Sequence, residues 1–388
     1  MAAEVAVDEA SVDEVASWLP QSPALVVLDV RETDEHAAGI VAGALCLPRA
    51  LIATHIAKLV PDKQRLIVAY CGSGVRSQLA SQALADLGYS RVCSMRGGFA
   101  EWQRAGHAWV VPAGDADGRA APLTAEQTTR YARHVRLPEI GVAGQRRLLA
   151  ARVLCVGAGG LGSPAGLYLA AAGIGTLGIV DSDVVELSNL QRQVLHASDR
   201  LGMPKVDSAG QTLRALNPDV RVIRIAERLG AANALAILAD YDLIVDGSDN
   251  FATRYLINDA ALRLRKPVIH AAIQRFEGQL TAFAADGAPC YRCLFPQPPP
   301  ADTAPSCAEA GVLGTLPGVL GVLQATEAIK QILGIGRGLV GRLVTYDALA
   351  MSFTELRLQR DPHCPTCGEG VDRSAIQPRD QAPDCSAA

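Results

Sequence analysis

The sequence predicts an α/β protein of two domains. Short apolar runs of the β type, at residues 25–30 (LVVLDV) and 66–70 (LIVAY), alternate with helical stretches in the first part of the chain. Residues 153–180 carry no charge but include eight glycines, which indicates a buried strand-turn-helix-strand unit rather than a membrane span. At 388 residues the chain is long enough for two or three domains.

The composition argues against a partner that is a polyanion. The net charge is −4 and the sequence pI is about 6.0, so neither DNA nor an anionic membrane is attracted overall. The first fifteen residues are acidic and lack the features of a signal peptide, so we expect a cytoplasmic protein with reduced thiols. Ten cysteines are too few for a disulfide scaffold, and their grouping then indicates metal or catalytic chemistry.

Shifts in composition divide the chain into four segments. We expect a small α/β domain over 8–112, whose first helix opens with a capping box of Ser11 and Glu14, and a linker over 113–122. A second α/β domain is expected over 123–370 and a disordered tail over 371–388. Strands of the second domain are predicted near 152–156, 177–180, 242–246, 267–270 and 279–284.

A cysteine follows the second apolar run of the first domain. Residues 71–77 read CGSGVRS and precede a helical stretch, so a strand feeds a glycine loop into a helix. Backbone N–H groups and the helix dipole would stabilise a thiolate on Cys71 there. The alternative is a buried structural cysteine at a strand end.

Two further strings in this domain resemble the rhodanese family. Residues 28–31 (LDVR) with Glu35, Gly39 and Pro48 resemble its entry motif, and residues 96–99 (RGGF) with Trp102 resemble its closing motif. The resemblance implies that Cys71 carries a persulfide and that Arg76 closes the loop. Phosphatases of the same fold have a loop one residue longer, so the four residues between Cys71 and Arg76 favour sulfur.

The second domain opens with a nucleotide-binding pattern. Residues 153–156 (VLCV) lead into GAGGLG at 157–162, and Asp181 ends the next strand 19 residues after Gly162. This pattern fits a dinucleotide fingerprint and by itself would suggest an NAD enzyme. The following SDVVELSNLQRQ (182–193), Lys205 and DGSDN (246–250) supply cations and carboxylates that adenylation of a carboxylate needs and hydride transfer does not. Taken singly, Arg192 or Lys205 could be a solvated helix charge.

Together with RYARH (130–134), CYRC (290–293) and CAEAG (307–311), these strings resemble the MoeB/ThiF adenylyltransferases, bacterial relatives of ubiquitin-activating enzymes, over about 123–370. The resemblance implies a homodimer in which Arg133 reaches the partner's ATP site, with an intrachain salt bridge to Glu126 or Glu139 as the alternative. It implies that Asp249 holds Mg²⁺. The residues expected around ATP are Gly160, Asp181, Ser188, Asn189, Arg192, Lys205, Asp249 and Asn250.

Four cysteines form two CxxC pairs, Cys290 with Cys293 and Cys364 with Cys367. Two such turns can present four thiolates to Zn²⁺, although at this separation the fold must bring them together. A redox dithiol is the alternative, and the resemblance favours structural zinc. Cys307 lies in a polar, proline-rich stretch and is either a candidate nucleophile or an incidental loop thiol. By resemblance it attacks the activated carrier or resolves the persulfide.

The resemblance implies a fusion of sulfur supply with carboxylate activation. ATP would adenylate the C-terminal Gly-Gly of a ubiquitin-like sulfur carrier, and the Cys71 persulfide would then give a thiocarboxylate. A cysteine desulfurase or a small molecule would donate the sulfur, and molybdopterin, thiamine, tRNA thiolation and cysteine synthesis remain open as pathways. The competing functions are a nicotinamide oxidoreductase, a non-catalytic scaffold and an adenylating enzyme that acts on tRNA.

Overall fold

The chain folds into two units, Met1–Gly144 and Gln145–Ala388. The computed structural model describes residues 8–22, 25–32, 35–110, 122–285, 289–297 and 311–380. Most of the expected linker therefore lies outside the described residues. The expected domain limits of 8–112 and 123–370 remain predictions.

The first unit contains a five-stranded parallel sheet with the strand order β1-β6-β5-β2-β4, and β3 pairs with β7 in a separate antiparallel ribbon. The two strands predicted from apolar runs are confirmed as β2 and β5. The strands are β1 Asp8–Ala10, β2 Val26–Asp29, β3 Ile40–Val41, β4 Leu45–Cys46, β5 Ile67–Tyr70, β6 Val92–Met95 and β7 Trp109–Val110.

The helices of the first unit follow local signals. The predicted capping box is confirmed, because the Ser11 hydroxyl accepts a bond from the Glu14 N–H and the Glu14 carboxylate accepts one from the Ser11 N–H at 2.8 Å. The helices described here are α1 Val12–Trp18, α2 Ile52–Leu59, α3 Val75–Asp86, α4 Gly98–Arg104, α5 Ala125–Arg130 and α6 Ala132–Val135.

Both faces of the first sheet are buried. Leu28 and Ile67 pack on one face, and Val68 and Tyr70 pack on the other with Trp102. Near-continuous burial of this kind is typical of parallel sheets covered by helices. The carboxyl end of the central strand β5 is thereby fixed from both sides, and Cys71 follows it directly.

The second unit is built on an eight-stranded mixed sheet with the order β10-β9-β8-β11-β12-β13-β14-β15. The strands from β10 to β12 are parallel, and the remaining pairs are antiparallel. All five predicted strands are confirmed within a few residues, whereas β10, β14 and β15 were not predicted. The strands are β8 Arg152–Val156, β9 Thr176–Val180, β10 Arg221–Ile225, β11 Leu243–Asp246, β12 Val268–Gln274, β13 Glu277–Phe283, β14 Arg342–Asp347 and β15 Ser352–Arg357.

Helices cover this sheet, and the longest one approaches the glycine-rich turn after β8. Gly321 of that helix packs so closely that a Cβ there would lie 2.5 Å from the Leu161 carbonyl oxygen, so only glycine allows the contact. The helices of this part of the chain are α7 Gly141–Ala150, α8 Gly162–Ala172, α9 Lys205–Leu216, α10 Ala234–Ala239, α11 Phe251–Leu264, α12 Tyr291–Leu294 and α13 Leu316–Leu333.

The segment 371–380 differs from the disorder expected of it. Arg373–Ala375 forms a 3₁₀ turn, Ile376 packs against a buried cysteine cluster, and Asp380 accepts a hydrogen bond from the Ala231 N–H at 2.8 Å. The pattern of few aliphatic residues misled the prediction because one isoleucine and side-chain hydrogen bonds hold the segment. Residues 381–388 lie outside the described residues. No helix in the described part of the chain is both long and apolar enough to cross a membrane.

Candidate active sites

Cys71 lies at the start of a loop between β5 and α3, which we call the Cys71 loop (residues 71–76). Its sulfur is buried and accepts a hydrogen bond from the N–H of Gly74, whose φ is +102°. Gly98, at the start of α4, packs against the loop with a φ of +59°, and a Cβ there would collide with the Cys71 carbonyl oxygen. Two glycines are therefore needed to place backbone around this sulfur.

The electrostatics of the Cys71 loop favour a thiolate. Burial raises the pKa of Cys71, but hydrogen bonds from Ser77, Ser73 and Gly74 outweigh burial and hold the pKa below its usual value. A thiolate is the nucleophilic form of cysteine. The loop therefore favours the reactive thiolate form of Cys71 more than an ordinary cysteine environment does.

Arg76, the last residue of the loop, pairs with Glu35 through both carboxylate oxygens at 2.5 and 2.7 Å. The pair lies beside Gly72, since a Cβ on that glycine would be 3.4 Å from the Arg76 guanidinium. The hydrogen bond from Arg76 lowers the pKa of Glu35. Arg76 thus borders the loop, with its charge largely balanced by Glu35.

The second candidate site forms around the glycine turn (residues 157–162) between β8 and α8. Gly157 has a φ of +93°, and a Cβ on Gly162 would collide with the Gly157 carbonyl oxygen. Asp181, at the end of β9, accepts hydrogen bonds at 2.8 Å from the N–H groups of Ala158 and Asp183. Burial raises the pKa of Asp181. Each carboxylate oxygen keeps a further lone pair for a ligand hydroxyl.

One open pocket joins six of the residues predicted around ATP: Gly160, Asp181, Arg192, Lys205, Asp249 and Asn250. Two other predicted residues, Ser188 and Asn189, lie in a 3₁₀ turn but do not line this pocket. The Ser188 carbonyl accepts a bond from the Arg192 guanidinium at 3.0 Å. These two residues thus form the turn beside Arg192 rather than the pocket wall.

Lys205 begins α9 and is buried, with its ammonium 2.7 Å from a carboxylate oxygen of Asp183. Asp183 itself is mostly exposed and lines the same pocket. A buried lysine needs a counter-charge, and Asp183 supplies it. Asp183 is a pocket residue that the sequence reasoning did not single out.

A third segment of the pocket follows β11. Asn250 caps α11 by accepting a hydrogen bond from the Thr253 N–H at 2.9 Å, which leaves the exposed Asp249 at the pocket wall. Asp246, fully buried, bonds His270 at 2.7 Å and also accepts bonds from the N–H and hydroxyl of Ser248. This Asp246–His270 pair fixes the loop that carries Asp249.

The four predicted cysteine ligands converge in the second unit. The sulfur of Cys290 lies 3.9 Å from that of Cys293 and 3.6 Å from that of Cys364, while Cys293 and Cys367 are 3.3 Å apart. Four thiolates around zinc at about 2.3 Å are about 3.8 Å apart, so this set fits a tetrahedral metal. None of these distances is a disulfide bond of about 2.05 Å.

Comparison with known families identifies the domains that contain the two glycine-containing loops. Residues 131–366, well over half of the chain, match the model of the ThiF family, and residues 11–105 match the model of the rhodanese-like domain. The chain belongs to the ThiF family. It is an adenylyltransferase with a rhodanese sulfurtransferase domain, as the motifs predicted.

Curated relatives of the chain carry matching names. The "SAMP-activating enzyme E1" of Haloferax volcanii is 51% identical over 265 residues, which cover 68% of this chain and 97% of that protein. The "Sulfur carrier protein adenylyltransferase" of Thermus thermophilus is 53% identical over 251 residues, 63% of this chain and 93% of that protein. The "Adenylyltransferase and sulfurtransferase MOCS3" of Bos taurus is 52% identical over 260 residues, 67% of this chain and 57% of that protein.

Solved structures share the fold of the ThiF domain. The crystal structure of E. coli MccB with ATP has a TM-score of 0.55 at 23% identity and covers 61% of this chain and 74% of that one. MccB in complex with N-formylated MccA has a TM-score of 0.56 at 22% identity, covering 63% and 76%. At these identities the likeness shows a common fold and nothing further.

Two predicted site residues, Cys307 and Arg133, are not among the side chains described above. Cys307 lies outside the described residues. Arg133 is exposed on α6, and Glu126, one of its two expected partners, pairs instead with Arg130 at 3.1 Å. These two assignments, like the roles expected of the other site residues, remain predictions.

Arg254 of the ThiF domain was missed by the sequence reasoning. It is buried at the pocket wall, donates to the Ser248 carbonyl at 3.2 Å, and its Nε has no hydrogen-bond partner among the described residues. The sequence could have indicated Arg254 through its position, because it follows the capping Asn250 by four residues, one helical turn into α11.

Proposed function

We propose that the ThiF domain uses ATP to adenylate the C-terminal carboxylate of a ubiquitin-like sulfur carrier, and that the rhodanese domain supplies the sulfur that converts it to a thiocarboxylate. The observation that carries the proposal is that one chain contains two such loops. One holds a sulfur that accepts amide hydrogen bonds, and the other opens into a pocket with Arg192, Lys205 and Arg254.

The pocket suits phosphoryl groups because it combines cationic side chains with a glycine turn. Arg192 and Lys205 carry positive charge to the wall where charge grows on the α-phosphate and on the departing pyrophosphate. Asp181 would accept from the ribose hydroxyls while it keeps the glycine turn closed. Ser188 and Asn189 would act by shaping the turn that presents Arg192.

Two metals complete the proposal. Asp249, exposed at the pocket wall beside the amide of Asn250, offers the hard oxygen ligands that Mg²⁺ prefers. Magnesium neutralises phosphate charge when bound. Cys290, Cys293, Cys364 and Cys367 would hold structural Zn²⁺, since four thiolates leave no open position for a reacting water.

The sulfur step would begin on Cys71. Its thiolate attacks the sulfane sulfur of a donor, either the persulfide of a cysteine desulfurase or a small molecule such as thiosulfate, so that a persulfide forms on Cys71 and the rest of the donor leaves as a thiolate or as sulfite. The persulfide attacks the acyl-adenylate and displaces AMP, which leaves an acyl disulfide between carrier and Cys71. Cys307 would attack that disulfide, releasing the thiocarboxylate and forming a disulfide with Cys71 that a cellular reductant must reopen.

The intact mass of a candidate carrier tests the reaction. Incubation with this protein, ATP, Mg²⁺ and a sulfur donor should exchange one oxygen atom of the carrier for sulfur, and omission of ATP should prevent the exchange. A carrier truncated by its last glycine is the matched control. Unchanged carrier together with nicotinamide-dependent hydride transfer would overturn the proposal in favour of an oxidoreductase.

The proposal includes a homodimer in which Arg133 acts on the neighbouring site. Its exposure and the engagement of Glu126 by Arg130 leave the guanidinium available to a phosphate. Arg133→Ala and Asp249→Ala homodimers should both be inactive. Mixed dimers should regain up to half of the activity, because one site keeps both groups. Verified heterodimers without activity would place Arg133 in its own chain's site.

A further inference from the structure

The segment 371–380 lies beyond the pattern of the ThiF family, because the match to that family ends at residue 366. Side-chain contacts nevertheless hold the segment against the second unit. The Ile376 carbonyl and the Gln377 side chain both accept hydrogen bonds from the Arg263 guanidinium at 3.1 Å, and Pro378 is buried. These contacts fix the path of the chain from the cysteine cluster to Asp380.

Asp380 reaches a loop that lines the nucleotide pocket. One of its carboxylate oxygens accepts a hydrogen bond from the Ala231 N–H at 2.8 Å, and a Cβ on Gly230 would lie 3.4 Å from the same oxygen. The three residues before Gly230 line the pocket. We call residues 227–230 the Leu229 loop, after its buried member. Asp380 therefore bonds the segment that directly continues a wall of the pocket.

The order of the strands shows which part of a nucleotide the Leu229 loop would contact. The loop follows β10, whose neighbour β9 leads into Asp181, whereas Asp249 follows β11 on the other side of β8. Asp181 would bind the ribose, and Asp249 would bind the Mg²⁺ at the phosphates. The Leu229 loop thus lies on the adenosine side of the pocket, and its leucine offers the apolar contact that a base needs.

Two sets of contacts order the Leu229 loop. From within, the Asn233 side chain accepts a hydrogen bond from the Gly230 N–H at 2.9 Å and donates one to the Arg228 carbonyl at 3.0 Å. From a distant part of the chain, Asp380 adds its bond to Ala231. Asp380 also lines a cavity that shares three residues with the nucleotide pocket: Arg228, Leu229 and Thr253. A loop that is already ordered favours binding, because the ligand then has less conformational freedom to remove.

We propose that Asp380 is a positioning residue for the nucleotide, which acts through the Ala231 N–H to hold the Leu229 loop in the form that contacts adenosine. The inference rests on the proposed function in one respect, that the pocket binds ATP. Asp380 acts here as a hydrogen-bond acceptor. As a negative charge it would instead repel ATP, which is a polyanion. Loss of the acceptor and loss of the charge therefore change ATP binding in opposite directions.

Calorimetric titration of the full chain with ATP and Mg²⁺, without a carrier, tests the proposal. Asp380→Ala should weaken ATP binding about fivefold, which corresponds to one lost hydrogen bond. Asp380→Asn keeps an acceptor but no charge, and it should bind ATP at least as tightly as the unmodified chain. Asp240→Ala is the matched control, because it removes an exposed carboxylate that follows the other end of α10. The control should not weaken binding.

Further measurements locate the effect on the adenosine side. Inorganic triphosphate occupies only the phosphate part of the pocket, so its dissociation constant should be the same for Asp380→Ala and the unmodified chain. Hydrogen exchange of peptides that cover residues 229–234 should be faster in Asp380→Ala, because the Ala231 N–H loses its acceptor. In pyrophosphate exchange the KM for ATP should rise about fivefold while kcat stays unchanged.

Several results would overturn the proposal. Unchanged ATP binding by a folded Asp380→Ala protein is one, and tighter binding by both Asp380 variants, which would show an effect of charge alone, is another. Equal weakening of ATP and triphosphate binding would exclude an action on the adenosine side. An unmodified chain that bound no ATP would refute the proposed function, and this inference with it.

A pair of shortened chains keeps the test decisive if Asp380→Ala fails to fold. A chain that ends at residue 380 should bind ATP about fivefold more tightly than one that ends at residue 378, since only the first keeps the acceptor for Ala231. Equal ATP binding by the two chains would overturn the proposal.

Discussion

The Cys71 loop and the glycine turn use the same backbone arrangement for different chemistry. Each follows an interior parallel strand, β5 or β8, and each leads into a helix, α3 or α8. Both therefore direct amide groups and a helix N-terminus toward negative charge. The Cys71 loop begins with a cysteine, whereas the glycine turn begins with Gly157. The negative charge is therefore a thiolate of the protein in the first site, and it would belong to a bound molecule in the second.

The charged side chains around the two loops also differ. Arg76 beside the Cys71 loop is balanced by Glu35, which leaves little net charge for a small sulfur species to meet. The glycine turn faces Arg192, Lys205 and Arg254 across an open pocket, in which Asp183 pairs with Lys205. A single sulfur atom needs few cations, whereas a triphosphate needs several.

The largest expected effect is on stability, because the four-cysteine cluster is part of the second unit. Cys364→Ser should lose the metal and lower the stability of that unit by several kcal/mol, since binding of structural zinc is coupled to folding. Metal analysis and thermal unfolding of the full chain measure both. Cys93→Ala should instead affect the first unit and leave the metal bound. A fully metallated, stable but inactive Cys364→Ser protein would contradict a structural role.

The next largest effect should separate the two activities. Arg192→Ala or Asp249→Ala should slow carrier-dependent ATP–pyrophosphate exchange by about 10²–10³-fold, as expected for one lost contact to transition-state charge. Sulfur transfer from thiosulfate to cyanide at Cys71 should be unchanged. Arg214→Ala, an exposed arginine of α9, is the matched control and should alter neither rate.

Paired glycine substitutions test whether the two loops are equivalent. Gly162→Ala should reduce pyrophosphate exchange, and Gly98→Ala should reduce sulfur transfer, each by about 10²-fold, because a new Cβ collides with loop backbone. Gly318→Ala on α13 has open space around its Cβ and should leave both rates intact. If either loop variant impaired both reactions equally, the sites would not be independent.

The smallest predicted effect concerns pH. Since hydrogen bonds lower the pKa of Cys71 despite burial, its thiolate should persist to lower pH than an ordinary thiol with a pKa of about 8.5. Alkylation of Cys71 by iodoacetamide should therefore show a midpoint below that value, and the rate should fall as pH drops through the midpoint. A midpoint above that of a free cysteine would show that burial dominates.

The sequence patterns predicted the central strands of both sheets better than the outer ones. Strands β5 and β8 are buried and stand out as apolar runs, whereas every residue of β15 is exposed and β10 carries two exposed arginines. Edge strands bury too little to impose an apolar pattern. The capping box of α1 was readable because it depends on residues three positions apart.

Within the sites, motif residues were predictable where local backbone places them, as for Asp181 and Asn250. Contacts between distant segments were not. The pairing of Lys205 with Asp183, and the support of the Asp249 loop by His270, depend on how strands are ordered in the sheet. Convergence of Cys290 and Cys364 was expected from their two CxxC turns and the family resemblance, because at their separation the fold has to bring the turns together.

The most direct test of separate sulfur and adenylation sites is Cys71→Ala assayed with a carrier, ATP, Mg²⁺ and a sulfur donor. Exchange of pyrophosphate should continue at nearly the original rate, since the glycine turn and its pocket are intact. The carrier should accumulate as the acyl-adenylate, with no thiocarboxylate detectable by intact mass. Loss of pyrophosphate exchange in folded Cys71→Ala protein would contradict the separation, as would thiocarboxylate formed at the normal rate.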